Sequence, residues 1–201
     1  RHTSRVRQLP EFDRELPVAC LAEEITTPGD GKIRALFTGA GNPVLSTPSG
    51  DALDDALEDL EFMVSLDPWI NETTRHADVI LPPTSPLEHD HYDLAFHVNA
   101  MRNTARFSEA VFEKPAGSMH DWEIFQGLGE RVAQALDLEV RKAVPPHVII
   151  DHGLKAGPYG DSSDYKLSIE ALRATPSGVD LGPLKPQLPE RLKTPGQRIN
   201  L

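Results

Sequence analysis

Residues 33–46 read "IRALFTGAGNPVLS", and residues 61–83 read "EFMVSLDPWINETTRHADVILPP". "IRALF" (33–37) is an apolar run of strand length, and a glycine-rich loop, "TGAGNPVLS" (38–46), follows it. Between the two stretches, "PSGDALDDALEDL" (48–60) places Ala52, Leu53, Ala56, Leu57 and Leu60 at helical spacing. Ser49 stands where an N-cap is expected, and acids fill the first turns. "EFMVSL" (61–66) predicts a second strand, "NETTRHA" a helical turn, and "DVILP" (78–82) a third strand stopped by Pro82 and Pro83. Continuously apolar strands that alternate with helices predict a parallel sheet covered on both faces. The expected fold class is α/β, a Rossmann-like parallel sheet flanked by helices.

On the N-terminal side, residues 1–16 predict a lead-in segment without regular structure, and Pro17 opens a helix to about Ile25. "TTPGDG" breaks it. On the C-terminal side, residues 84–118 predict an irregular polar excursion with one strand near "NTARFS". "DWEIFQGLGERVAQALDL" (121–138) predicts an amphipathic helix with Trp122, Phe125, Leu128, Val132 and Leu136 on one side. Pro145 and Pro146 begin another helix to about Lys155, and "DYKLSIEALRA" gives a short one. From Thr175 recurring Pro and Gly predict an extended, Pro-rich arm. The expected organisation is lead-in 1–16, an α/β cofactor-binding domain 17–174, and a linker or arm 175–201. Because the chain begins with Arg, it is expected to be part of a larger multidomain protein.

Composition narrows the function classes. A chain of 201 residues that is 39% hydrophobic and 25% charged can bury a real core. No apolar run is long enough to span a bilayer, and no signal-peptide pattern opens the chain, so a cytoplasmic location is expected. A formal charge of −11 disfavours nucleic acid, whose phosphates require clustered Lys and Arg. The single cysteine, Cys20, excludes an internal disulfide and a cysteine-held iron–sulfur cluster within these residues. It lies in an apolar helical pattern and predicts a small core residue.

Three groupings could carry chemistry. The first is strand, glycine loop, helix, strand, acid. A glycine-rich turn lets backbone N–H groups approach an anionic ligand, and an acid ending the next strand, Asp67, lies at the edge where open α/β sheets bind ligands. "GAGNP" is not the G-x-G-x-x-G of nicotinamide sites, so nucleotide binding and a plain structural turn both remain open. The second is "LDPWINETTRHADVILPP" (66–83), in which Asn71 and Thr73 could face the same ligand as Asp67. His76 and Asp78 suggest an acid–base pair, but no nucleophile stands nearby, and shaping the turn into the third strand is the expected role. The third is "LEHDHYDLAFH", with Glu88, His89, Asp90, His91, Asp93 and His97. Its spacing matches no strong metal signature, and exposed polar residues are the expectation.

Taken in order, "IRALFTGAGNPVLS", "LEFMVSLDPWINETTRHADVILPPTSPLEHD" and "HDWEIFQGLGERV" resemble the molybdopterin-dependent oxidoreductases. That family includes formate dehydrogenases, periplasmic nitrate reductases and dimethyl sulfoxide reductase. The resemblance covers residues 16–138 and lies nearest the formate-dehydrogenase-like branch. It implies a molybdopterin guanine dinucleotide bound around molybdenum or tungsten. Gly39, Gly41 and Asn42 would line the cofactor crevice, and Asp67 would recognise the guanosine end. Asn71 falls where many members have Thr, and Thr73 and Asp121 are further candidates for the same ligand. The resemblance places the [4Fe–4S] cluster and the metal-ligating residue elsewhere in the parent chain. The expected partners are the remaining domains of that chain and an electron-transfer subunit, with neither nucleic acid nor membrane insertion. No catalytic residue or metal ligand is expected within these residues, and isolated they should not turn over substrate. The Gly-Arg-x-Gln stretch of many members becomes Arg102, Asn103, Thr104 and Ala105 here. Two other readings stay open, a non-catalytic scaffold of the kind found in respiratory complex I and an independent nucleotide-binding module.

Overall fold

The computed structural model describes residues 2–140, 142–184, 186 and 188–199. The chain forms two compact units, one from Arg1–Ser85 and Lys114–Arg141, the other from Pro86–Glu113 and Lys142–Leu201. The expected 17–174 segment is therefore distributed over both units.

The first unit is built on three parallel strands in the order β1 (Ala35–Gly39), β2 (Phe62–Leu66) and β3 (Val79–Ile80). Ala35 pairs with Phe62 and Gly39 with Leu66, while Val64 pairs with Val79. Strands β1 and β2 therefore end level. Leu36 and Met63 point to one face, where they join Ile25 of α1 (Leu21–Thr26) and Leu53, Ala56 and Leu57 of α3 (Gly50–Leu57) in a buried cluster. Phe37 points to the opposite face, as strand alternation requires. There its ring lies 5.6 Å from that of Phe125 in α4 (Asp121–Ala135). Helices thus cover both faces of a Rossmann-like parallel sheet, the predicted α/β class.

Two expectations need correction. The apolar stripe drawn along residues 121–138 meets the sheet through Phe125 but is not the most buried face of α4. Ile124 is the residue it buries, whereas Phe125, Val132 and Leu136 stay about half exposed. Ser49 does not cap α3 with its side chain, because its backbone is left-handed at φ 60°. The cause lies next door. A one-turn helix, α2 (Pro43–Ser46), precedes α3, and a Cβ on Gly50 would stand 2.1 Å from the Val44 carbonyl oxygen. That close approach requires glycine and dictates the turn at Ser49.

The second unit contains short antiparallel pairs. β4 (His91–Tyr92) pairs with β6 (Phe107–Ser108), and β5 (Thr104–Ala105) pairs with β7 (Val179–Asp180). Helices α5 (Pro146–Ala156) and α6 (Ile169–Arg173) flank a core of Ala105, Phe107, Leu167, Ile169, Leu172 and Leu181. The Pro-rich arm expected from Thr175 therefore supplies a strand and a core leucine. Asn103, in the stretch that departs from the family pattern, holds this unit together. Its Nδ2 donates to the Tyr159 hydroxyl at 2.8 Å and to the Leu181 carbonyl at 3.1 Å.

Two stability predictions follow from the packing. Ile25→Ala and Leu172→Ala each empty a fully buried position and should cost about 2–5 kcal/mol in chemical denaturation. Asp54 of α3 bonds Arg75 and, at 2.6 Å, His76 Nε2, which ties the helix to the segment before β3. Arg75 first and His76 second hold the Asp54 carboxyl below its usual range. A depressed folded-state value contributes stability above the ordinary aspartate range and loses it as pH falls through the folded value. Asp54→Asn should therefore flatten the acid side of the stability-versus-pH curve, with denaturation midpoints at neutral pH and below about 3.9 as the measurement.

Candidate functional site

The carboxyl ends of the three strands gather the residues that sequence reasoning singled out. From β1 the chain runs into Ala40 and Gly41, both at positive φ, 56° and 87°. The Ala40 N–H stays on the sheet, donating to Leu66 O at 2.9 Å. Among the described residues no acceptor meets the N–H of Gly41 or of Asn42. A Cβ on Gly41 would have nothing within 4 Å. The loop is thus open where a Gly41 side chain would stand, and it carries two backbone donors with no acceptor among the described residues.

Asn42 and Thr73 hold that loop in place. The Thr73 hydroxyl donates to Asn42 Oδ1 at 2.7 Å and accepts from Val44 N at 3.0 Å. Asn42 Nδ2 donates to the Glu72 carboxylate. Asn71 supports Thr73 in turn, its Oδ1 accepting the N–H groups of Thr73 and Thr74, each at 3.0 Å. The Thr74 hydroxyl closes the turn, donating to Trp69 O and accepting from Asn71 N, both at 2.9 Å. Thr73, expected to face a ligand beside Asp67, is completely buried. Its hydroxyl is used in both directions within the protein, so it positions the loop and leaves contact to others.

Asp67 directly follows β2 and is only 6% exposed. One carboxylate oxygen accepts from Trp69 N at 2.8 Å, while the other has Asn71 Nδ2 at 3.4 Å. A carboxylate offers about four lone-pair positions, so capacity for further donors remains. Trp69 and Ile70 beside it are strongly exposed, a feature that sequence reasoning passed over. Asp121, the first residue of α4, accepts from Trp122 N at 2.8 Å. It stands one turn before Phe125, whose Cζ would be 3.4 Å from a Cβ on Gly39. The start of α4 is fixed by Thr84 Oγ1, 2.6 Å from His120 Nδ1. Past β3, a cleft of about 430 Å³ opens between Leu81 and Pro82 on one side and Met119, Ile124, Leu128 and Arg131 on the other. Strand periodicity gives no signal for this cleft, because α4 returns to it from forty residues further along the chain.

His76 and Asp78 are not partners. His76 bonds Asp54, and Asp78 Oδ2 accepts from Met63 N at 2.7 Å, at the start of the β2–β3 pairing. In the polar excursion, Asp90 Oδ1 accepts from Ala110 N at 3.0 Å, and His89 Nδ1 lies 3.1 Å from Asp90 O. Among the described residues no group of three or more His, Cys, Asp or Glu side chains stands close enough to hold a metal ion. No described helix is long and apolar enough to cross a membrane.

The chain is 35% identical over 105 residues to the assimilatory nitrate reductase catalytic subunit of Bacillus subtilis, covering 52% of this chain and 14% of that protein. It is 28% identical over 125 residues to a formate dehydrogenase alpha subunit of Methanocaldococcus jannaschii, covering 57% of this chain and 18% of that protein. A formate dehydrogenase alpha subunit of Methanococcus maripaludis matches at 28% over 103 residues, 51% of this chain and 14% of the relative. The chain thus spans less than a fifth of the length of these relatives. The family model for molybdopterin oxidoreductases matches residues 3–131, which contain the loop, the acid and most of α4, and the chain belongs to that family.

Proposed function

We propose that this chain binds the guanine dinucleotide form of molybdopterin at the carboxyl edge of its parallel sheet. The observation that carries the reading is the pairing of an open, donor-presenting loop at Gly39–Asn42 with the nearly buried carboxylate of Asp67 on the adjacent strand. A pyrophosphate needs N–H donors; Gly41 and Asn42 carry two without an acceptor among the described residues, and no side chain stands at Gly41. Guanine carries adjacent N–H donors on one edge, and an ionised carboxylate accepts both. Asn42 and Thr73 keep the donors at a fixed distance from the acceptor. Asp121 stands at the start of the helix that crosses Gly39.

When bound, the cofactor supplies two-electron redox at molybdenum or tungsten. The described residues bind and orient it. For the whole protein we infer a formate-dehydrogenase-like activity, in which formate loses a proton and two electrons to become carbon dioxide. Iron–sulfur clusters held elsewhere would then pass the electrons to an electron-transfer subunit.

The test is Asp67→Asn in the full-length protein, measured as guanosine monophosphate released by acid hydrolysis per mole of molybdopterin. Asparagine keeps the shape and loses the charged acceptor. A hydrogen bond to a charged group contributes about 1.5–3 kcal/mol, so retention of the nucleotide form on dilution should fall roughly ten- to a hundredfold. Full guanine content with unchanged retention would show that Asp67 does not hold the base. Thr73→Val, which removes the hydroxyl between the two loops, should lower cofactor content together with thermal stability. Asp67→Asn should lower the first with little effect on the second.

A further inference from the structure

The second unit holds a partly open cavity, lined by several polar side chains, that the nucleotide reading does not use. Its volume is about 140 Å³, and its lining includes His91, Asp93, His97, Thr104, Arg106 and Ser108. The β4–β6 pairing sets His91 opposite Ser108. His97 begins a single 3-10 turn, His97–Asn99. Asn99 N to Phe96 O and Ala100 N to His97 O, both 2.9 Å, close the turn. Asp93 fastens it from outside, one carboxylate oxygen accepting from Phe96 N at 2.8 Å. His97 is therefore carried on a turn with a defined backbone.

The unusual atom is His97 Nε2. It is buried, and among the described residues it has no hydrogen-bond partner. Leaving such an atom unsatisfied costs about 1–3 kcal/mol, and buried polar atoms in native proteins nearly always find a partner in protein, water or ligand. That volume lies below the roughly 300–1,000 Å³ of pockets that take drug-sized ligands, which suits a compact ligand. The character of the lining selects the charge. Arg106 has only donors to offer, imidazole and hydroxyl groups can donate, and the one carboxylate has an oxygen occupied by Phe96 N. A guanidinium also opposes any cation and matches the paired oxygens of an oxyanion.

We propose that this cavity binds a small single-centre oxyanion, of the size of formate, nitrate or phosphate, with His97 Nε2 and Arg106 as its principal donors. Binding selects the imidazole form that carries a proton on Nε2. The proposal is independent of the dinucleotide reading, since no residue is shared between the two sites.

The experiment titrates the full chain separately with sodium formate, sodium nitrate and inorganic phosphate at constant ionic strength. Calorimetry and the imidazole nitrogen resonances report binding. At least one anion should saturate with 1:1 stoichiometry and shift the His97 resonance. His97→Leu and Arg106→Gln should each weaken that anion by about tenfold or more, the loss of one hydrogen bond in a charged pair, and His97→Gln, which keeps a donor, should weaken it less. Arg106 is exposed and lies between β5 and β6, so R106Q tests the site even if H97L unfolds the unit. Absence of saturable binding for all three anions overturns the proposal, as does affinity unchanged in R106Q.

Discussion

The hydrogen bond from the buried Thr73 hydroxyl to Asn42 is the constraint on which the candidate site depends. Strands β1 and β2 end at the same level, Gly39 beside Leu66, and beyond that pair the ladder supplies one last bond, from Ala40 N. Two loops leaving neighbouring parallel strands have no reason of their own to stay in register. Thr73 gives them one. It bonds to the side chain of the first loop and to the Val44 amide within α2, with Asn71 bonding to its own N–H. Because the hydroxyl is fully buried, losing either partner would leave a polar atom without water to replace it, a cost larger than the net gain from an exposed bond. That asymmetry makes a small polar residue an effective clamp.

What was legible in the sequence follows from range. The three parallel strands and α3 show as local apolar patterns, and their class and order could be read directly. The location of Asp67 at the end of β2 could be read for the same reason. The clamp could not. Thr73 and Asn42 stand 31 positions apart, and His76 finds Asp54 22 positions away rather than its neighbour Asp78. Short polar residues in "NETTRHA" look alike until a partner from another element chooses among them. The second unit was hardest to read, since its strands are two residues long and Thr104 pairs with Asp180, across a separation no window reveals. Helix α4 misled for another reason. Ile124, off the expected stripe, is its buried residue, while Phe125, on the stripe, meets Phe37 of the sheet and stays half exposed.

Ser49 illustrates how a local rule yields to a neighbour. A serine before an acidic helical segment is a good N-cap by propensity, yet capping requires extended backbone at that position. The close contact of Gly50 with the Val44 carbonyl sets Ser49 in the left-handed region instead. The departure lies between α2 and α3, next to the loop that Asn42 anchors. Local preferences are commonly broken where the chain is shaped for a ligand.

A net charge of −11 opposes a phosphate-bearing ligand at long range. Charge far from a site is screened within about 8–10 Å at physiological ionic strength. What acts at the crevice is local. The donors on offer are the backbone N–H groups of Gly41 and Asn42, oriented dipoles that need no counter-ion of their own. The acid at the same edge then has a separate role. Asp67 repels a phosphate placed against it and attracts the N–H edge of a purine, so the two features can be satisfied together only by a ligand that presents both groups in the right order. A guanine dinucleotide has that polarity along its length, with phosphates at one end of the ribose and the N–H-bearing base at the other. On the proposed reading, opposite preferences on adjacent strands would orient the cofactor, through Asp67 and the loop donors rather than through the net charge of the chain.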